Sequence, residues 1–262
     1  MPTFAVLGAT GNCGTAVIEL LLREQDTKIH AYCRNKQKLI NKIPDVANED
    51  RVSVFEGSIF DSKLMQECIR NTDAVFHLVS TNDNVPGYRT GYDTASSIVA
   101  AIESIQSIRP HDTSRTPSKL ILLSSGTVDE RLSSHIAPPF RLLLRTAFSY
   151  VYEDLRRTEI FLRSKANVVS TVFIKPGGLA LDIQRGHRLN FDHDESFVSY
   201  LDLAAGMIEA AADDQNRYEM QNVSVVNQQE SATMPSGLLM GLSLGLLRHF
   251  FPFLHQVLPL MR

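Results

Sequence analysis

Cysteine is scarce in this chain. Cys13, Cys33 and Cys68 are too few and too widely spaced for a disulfide framework or a zinc site, which suits a reducing cytosol. Long basic runs are missing too, and the formal charge is −3, so the clustered Lys and Arg that nucleic-acid affinity requires are not there. The expected partner is a small molecule and not a nucleic acid. No charged segment with an apolar core, the mark of a secretory signal, opens the sequence; PTFAVLGATG enters a strand at once, and a cytoplasmic protein is expected. Internal repeats and low-complexity tracts are absent as well. Nothing divides the 262 residues, and one domain over 1–262 is expected.

What the chain does have is alternation. The short apolar, β-branched runs FAVLG, IHAYC, VSVFEG, AVFHLVS, KLILLSS and VVSTVFI are separated by segments such as Thr15 to Arg23, Lys63 to Arg70 and Ser96 to Ser107, whose apolar residues recur every three or four positions. This pattern predicts an α/β fold, a Rossmann-type doubly wound parallel sheet with helices on both faces. RPHDTSRTPS, from Arg109 to Ser118, reads as a polar surface link. After Pro176 the pattern loosens, then gives a helix from about Tyr200 to Ala212, a strand NVSVV and an apolar tail. Residues 177–262 are expected to form a small C-terminal lobe on the substrate side.

GATGNCG sets Gly8, Gly11 and Gly14 directly after the first strand and at the start of a helix. Gly8 permits a tight turn, Gly11 the close approach of a pyrophosphate, and Gly14 close packing of helix on strand. The helix N-terminus offers free N–H groups and its positive dipole end to the phosphates, with Thr10, Asn12 and Cys13 in the same loop. Where an NAD site usually carries a carboxylate, at the end of the second strand, IHAYCRNKQK offers Arg34 and then Lys36 and Lys38. A guanidinium pairs with a 2′-phosphate that a carboxylate would repel. NADPH is therefore the expected cofactor, with Ser58 and Ile59 after the third strand completing that side.

From these glycines onward the chain resembles the atypical short-chain dehydrogenase/reductase superfamily, in its NmrA-like NAD(P)-binding branch, over about the first 180 residues. A narrower resemblance, reaching nearly the whole chain, is carried by NDNVPGYR, KPGGLALDIQRGHRL and FVSYLDLAAGMIEAA, which look like segments of the averufin oxidase family of fungal oxidoreductases. That resemblance implies an enzyme of aromatic polyketide biosynthesis and a flat phenolic or quinonoid substrate, such as an anthraquinone or xanthone.

The ligand of an open α/β sheet lies beyond the carboxyl ends of its strands. Ser80, Thr81, Asn82, Asp83 and Asn84 follow the fourth strand, Ser124 and Ser125 end the fifth, and Lys175, Pro176 and Gly177 follow the sixth. In related folds these positions flank the nicotinamide and its ribose. Ser125 matches the serine of the usual Ser, Tyr, Lys set, and SYVYEDLRRTE supplies Tyr150 and Tyr152 but no lysine after either. Residues four apart share a helix face, so Arg156 is expected to charge-stabilise Tyr152, whereas Asp154 would oppose ionisation of Tyr150. Tyr152 is the preferred acid; both tyrosines also fit a packing role with bonded hydroxyls. Asp83 and His187 are the rival acid–base candidates, though Asp83 also fits a turn and His187 a solvated loop. Asn82, Asn84, Tyr150 and Gln184 are assigned to the substrate side. Hydride addition to a conjugated carbonyl spreads the negative charge, so hydrogen-bond donors alone can stabilise it.

The tail MPSGLLMGLSLGLLRHFFPFLHQVLPLM carries Gly237, Gly241 and Gly245 at four-residue intervals, a spacing that lets two helices approach closely. Its apolar run before Arg248 is shorter than the roughly 20 residues of a membrane crossing. A lid over the substrate or a homodimer contact is expected, with peripheral membrane contact as the alternative. The function expected is that of an NADPH-dependent reductase; a redox-neutral isomerase or dehydratase and an NmrA-like dinucleotide sensor are the other readings.

Overall fold

Alternate side chains of β1 (Thr3–Leu7) enter opposite layers, because successive residues of a strand point to opposite faces. Phe4 and Val6 pack with Val17 and Leu21 of α1 (Asn12–Arg23), while Ala5 and Leu7 pack with Met65 of α3 (Ser62–Ile69) and Ile98 of α4 (Thr90–Ile108). A strand buried on both sides reads as a continuous apolar run, which is why FAVLG and AVFHLVS show no alternation.

The computed structural model describes residues 1–108, 117 and 119–260. Apart from Pro117, the link read as a surface connection lies outside the described residues. The strands β2 (Lys28–Cys33), β3 (Val52–Glu56), β4 (Ala74–His77), β5 (Lys119–Leu123), β6 (Ser170–Ile174), β8 (His187–Asn190) and β10 (Asn222–Asn227) join β1 in one eight-stranded sheet of order β3-β2-β1-β4-β5-β6-β10-β8. All neighbours run parallel except β8, which is antiparallel to β10. The order reverses between β1 and β4, and the crevice of a doubly wound sheet opens at that switch point. The six strands and the Rossmann-type sheet foreseen from the sequence are present.

Helices α2 (Lys36–Lys42) and α7 (Tyr200–Ala212) lie in the layer of α1, and α6 (Ser149–Ser164) in that of α3 and α4. Beyond Pro176 the chain returns to the main sheet through β10, and α7 packs along α1. Leu203, Met207 and Val223 sit in the same buried cluster as Val6 and Val17. The irregular stretch after Gly177 holds only β8 and a two-residue pair, β7 (Leu179–Ala180) with β9 (Val198–Ser199). Two further helices, α5 (Pro138–Ala147) and α8 (Leu238–Phe250), pack on each other.

Candidate active site

The turn after β1 is shaped by what it cannot accommodate. Gly8 has φ +90°, and a Cβ there would meet the Leu78 carbonyl oxygen at 2.9 Å; a Cβ on Gly14 would overlap the Gly8 carbonyl. The chain therefore turns tightly under the end of β4, and α1 begins against it. Gly11 caps α1 without any side-chain hydrogen bond, and no acidic residue occupies the first turn. The first N–H groups of the helix thus face outward beside exposed Gly11 and Asn12, which fits a pyrophosphate in both shape and charge. Cys13 adds bulk and no thiolate, since burial pushes its thiol up to about 12.

At the end of β2, Arg34, Lys36 and Lys38 are all exposed. Asn35 caps α2 by accepting from Lys38 N–H at 2.7 Å, and Glu56 accepts from Lys36 N–H at 3.0 Å. The Glu56 carboxylate beside the basic turn is thereby bound to backbone. In the loop after β4, burial lifts the phenol of Tyr88 to about 12; Thr90 opposes the rise, Asp154 adds to it and the charge of Arg34 opposes it. Ser58 is fixed by its carbonyl, which accepts from the Tyr32 hydroxyl at 2.7 Å, with half-buried Ile59 beside it.

Across the crevice, burial raises the phenol of Tyr200 and the side chains of Asn12 and Asn82 oppose the rise, so this tyrosine stands between the glycine turn and the loop after β4, where Ser80 is exposed and Thr81 half-buried. Ser199 orients it by capping α7, its hydroxyl accepting from Asp202 N–H at 3.0 Å. Sequence reasoning saw Tyr200 only as the start of a helix.

At the end of β5 three hydroxyls converge. Burial raises the phenol of Tyr152 most; the neighbouring side chains of Thr127 and Ser125 oppose this, Asp194 adds to the rise and Arg145 opposes it. Ser125 itself accepts from Thr127 N–H at 3.3 Å, and Arg145 Nε donates to the Thr127 carbonyl at 3.2 Å. Ser125 and Tyr152 are thus brought together as the sequence suggested, with Thr127 as an unforeseen third member. Asp194, also unforeseen, is buried behind this cluster, its carboxylate filling the room a Cβ on Gly126 would take. Neither of its oxygens makes a hydrogen bond, and His135 Nε2 stands 3.4 Å from Oδ1. Burial lifts the Asp194 carboxyl to about 6, against the pull of His135 and His193.

Several expected roles are corrected by the geometry. Arg156 turns to solvent and pairs with Glu153 at 3.2 Å, because α6 offers it a carboxylate three residues back; it does not touch Tyr152. Asp154 accepts from Gly91 and Tyr92 N–H at 2.8 and 3.1 Å, tying α6 to the first turn of α4. Asp83 is buried in an ion pair with Arg248 of α8 at 3.2 Å, and His187 sits on the edge strand β8, bonded to Glu209 at 2.9 Å. Both therefore serve as structural links. Asn84 accepts from Tyr150 N–H at 2.7 Å and donates to Ser149 Oγ at 3.3 Å and the Gly245 carbonyl at 3.1 Å, while the Tyr150 ring lies 6.5 Å from that of His249. Gln184 accepts from Arg23 of α1 at 3.4 Å.

Lys175 is buried between Glu159, at 2.8 Å, and Asp129, at 3.6 Å; Ser124 donates to Glu159 at 2.5 Å. These side chains satisfy one another between the sheet and α6 rather than facing the crevice. Lys175, Glu159 and Asp129 border an open polar cleft of about 460 Å³ with Arg163 and Asn222, which touches neither the glycine turn nor Tyr152. Pro176 anchors the strand end through its carbonyl, which accepts from Gly126 N–H at 2.7 Å, and Gly177 lies against the backbone of Glu195.

A 3-2-1-4-5-6 sheet with an uncapped, glycine-formed helix start at its switch point defines a dinucleotide-binding Rossmann protein. The chain belongs to the NAD(P)H-binding family, whose pattern matches residues 8–214. It is 58% identical over 259 residues to oxidoreductase AgnL4 of Paecilomyces divaricatus, with 99% of this chain and 98% of that one covered. It is 49% identical to oxidoreductase nsrR of Aspergillus novofumigatus, over 98% of this chain and 97% of that one. Among solved structures, a short-chain dehydrogenase/reductase from Veillonella parvula in complex with NADP superposes with a TM-score of 0.65 at 18% identity, covering 90% of this chain and 99% of that one, a likeness of fold.

Proposed function

We propose that this protein is an NADPH-dependent oxidoreductase of the atypical short-chain type, close to the averufin oxidase family, that reduces an aromatic polyketide intermediate of the anthraquinone or xanthone kind in the cytoplasm of a fungus. The observation that carries this reading is the Ser125, Thr127 and Tyr152 hydroxyl cluster at the end of β5, on the same edge of the sheet as the glycine turn. The fungal relatives named as oxidoreductases support it.

Gly8, Gly11 and Gly14 would receive the pyrophosphate on the N–H groups of α1, and Arg34 with Lys38 the 2′-phosphate. NADPH, when bound, supplies the hydride. Ser125 and Tyr152 then donate hydrogen bonds to the substrate oxygen on which negative charge develops. Arg156, four residues beyond Tyr152, pairs with Glu153 and not with the phenol, and Asp194 favours the protonated phenol. Tyr152 thus acts as a neutral donor, which suits a quinonoid carbonyl whose charge spreads over the rings. Tyr200 stands between the glycine turn and Asn82 at the substrate end.

Incubation of the purified protein with NADPH and a panel of anthraquinones, following the absorbance of the reduced nicotinamide, tests the proposal. Consumption that depends on the quinone is the expected result. Tight NADPH binding without turnover of any member would favour the sensor, and product formation without NADPH consumption the isomerase or dehydratase.

A further inference from the structure

The sequence placed glycines at four-residue intervals in the tail, and the structure shows what faces one of them. A Cβ on Gly245 would strike the Ala147 carbonyl, so α8 lies directly on α5 of its own chain. The buried side of α8 consists of Gly241, Leu242, Gly245 and Arg248, fixed by the Arg248–Asp83 pair, the Asn84 bond to Gly245 and a 2.7 Å contact between Ser149 and His249. This anchoring is that of a docked element and not of a swinging lid.

The other side of the pair is apolar and exposed. Leu239, Met240, Phe250, Phe253 and Val257 each show more than half of their surface to solvent, as does Leu142 of α5. A contiguous face of this kind marks an interaction surface. Its charge is one-sided: between Arg131 and Tyr152, and from Ser231 onward, the sequence contains none of the chain's 29 acidic residues. Arg141 on α5 has no ion pair among the described residues. Arg145 is balanced by Glu130 at 3.9 Å and Arg248 by Asp83 at 3.2 Å, so a second copy docked face to face would bring Arg141 toward a like charge with no acidic residue of α5 or α8 to relieve it. Anionic headgroups would supply the missing charge, and the phenyl and leucyl groups suit the headgroup boundary of a bilayer. No helix among the described residues is long and apolar enough to cross a membrane, so the mode is attachment to the surface.

We propose that the joined outer faces of α5 and α8, with the Phe251–Leu260 segment that follows, form a docking surface for an anionic lipid bilayer. Through Asn84 and Ser149 this surface is tied to the loop after β4 and to the start of α6, so docking would set the substrate end of the crevice beside the bilayer.

The test is flotation of the purified full-length protein with vesicles of phosphatidylcholine, with and without phosphatidylserine, at low salt. Binding that requires phosphatidylserine is expected. Phe250→Asp together with Phe253→Asp should weaken it by at least about tenfold, since each phenyl withdrawn from water contributes at least that factor. Arg141→Ala should weaken it about fivefold, and Phe60→Asp, an exposed phenyl far along the chain on β3's side of the sheet, should leave it unchanged. An unaltered melting temperature confirms that each variant is folded. The proposal is overturned if the protein fails to float with anionic vesicles, if the double Phe variant floats as well as the parent, or if sedimentation shows a dimer that the same double variant splits.

Discussion

Asparagine in place of Asp194 is expected to change the pH dependence of stability in a defined way. Burial lifts the Asp194 carboxyl from the ordinary 3.8 to about 6, Asp129 adds to the rise, and His135 and His193 oppose it. In the unfolded chain the ordinary value returns. Between the two values the folded protein holds a proton that the unfolded chain has released, so stability is greatest below 3.8 and is lost as pH rises through about 6. The loss is about 3 kcal/mol, at ~1.4 kcal/mol for each tenfold change in proton affinity. The amide of Asp194→Asn does not titrate in this range. Urea unfolding of parent and variant across it should therefore give a stability difference that moves by about 3 kcal/mol in favour of Asp194→Asn as pH rises, then levels off. Any fixed cost of seating an amide beside Gly126 shifts the whole difference curve but not its slope. His135→Ala should extend the sloping region upward in pH, because the imidazolium that holds the carboxyl down is gone. A level difference curve would refute the account and make Asp194 an ordinary carboxylate.

Other consequences are as direct. Arg34→Ala should remove most of a preference for NADPH over NADH of at least about tenfold, about 1.4 kcal/mol by titration of either dinucleotide; equal affinities in the parent would sink the assignment. Tyr152→Phe should lower turnover about a hundredfold with NADPH affinity nearly unchanged, as for the loss of one donor to a developing oxyanion, while Tyr150→Phe and Arg156→Ala should leave steady-state rates close to the parent's. Gly14→Ala should weaken dinucleotide binding by at least about tenfold through the forced shift of the Gly8 carbonyl, at a cost of about 1–3 kcal/mol, measurable by calorimetry; unchanged binding would show that the turn gives way freely.

The sheet and the glycine turn were legible in the sequence because their signals are local. A strand buried on both faces has to be a short apolar run, and a turn that admits no Cβ has to be glycine, so FAVLG followed by GATGNCG declares itself without reference to the rest of the chain. Tyr200 to Ala212 was equally plain from its spacing and matches α7. Side-chain direction was not legible. Helical spacing puts Arg156 near Tyr152, but the carboxylate of Glu153 decides where the guanidinium goes. Arg248, which pairs with Asp83, and Gly245, whose carbonyl accepts from Asn84, stand more than 160 positions away in α8, a distance no local pattern spans. Asp194 was hidden for a different reason: in FDHDES it is one acid among several, and only the fold distinguishes the one sealed behind Gly126 from its solvated neighbours.

The packing of α7 along α1 also bears on the order in which the chain can reach its native state during synthesis. The first strands and α1 leave the ribosome early, yet the apolar side of α1 that meets Leu203 and Met207 has no cover until α7 has been made. Likewise β6 remains the open edge of the sheet until β10 arrives to pair with it. Contacts this distant in sequence make folding slow and leave the nascent sheet exposed to wrong partners. The cover of α1 and the pairing of β6 thus come from residues made long after the glycine turn, and the nascent chain completes its dinucleotide crevice only once α7 and β10 have been made.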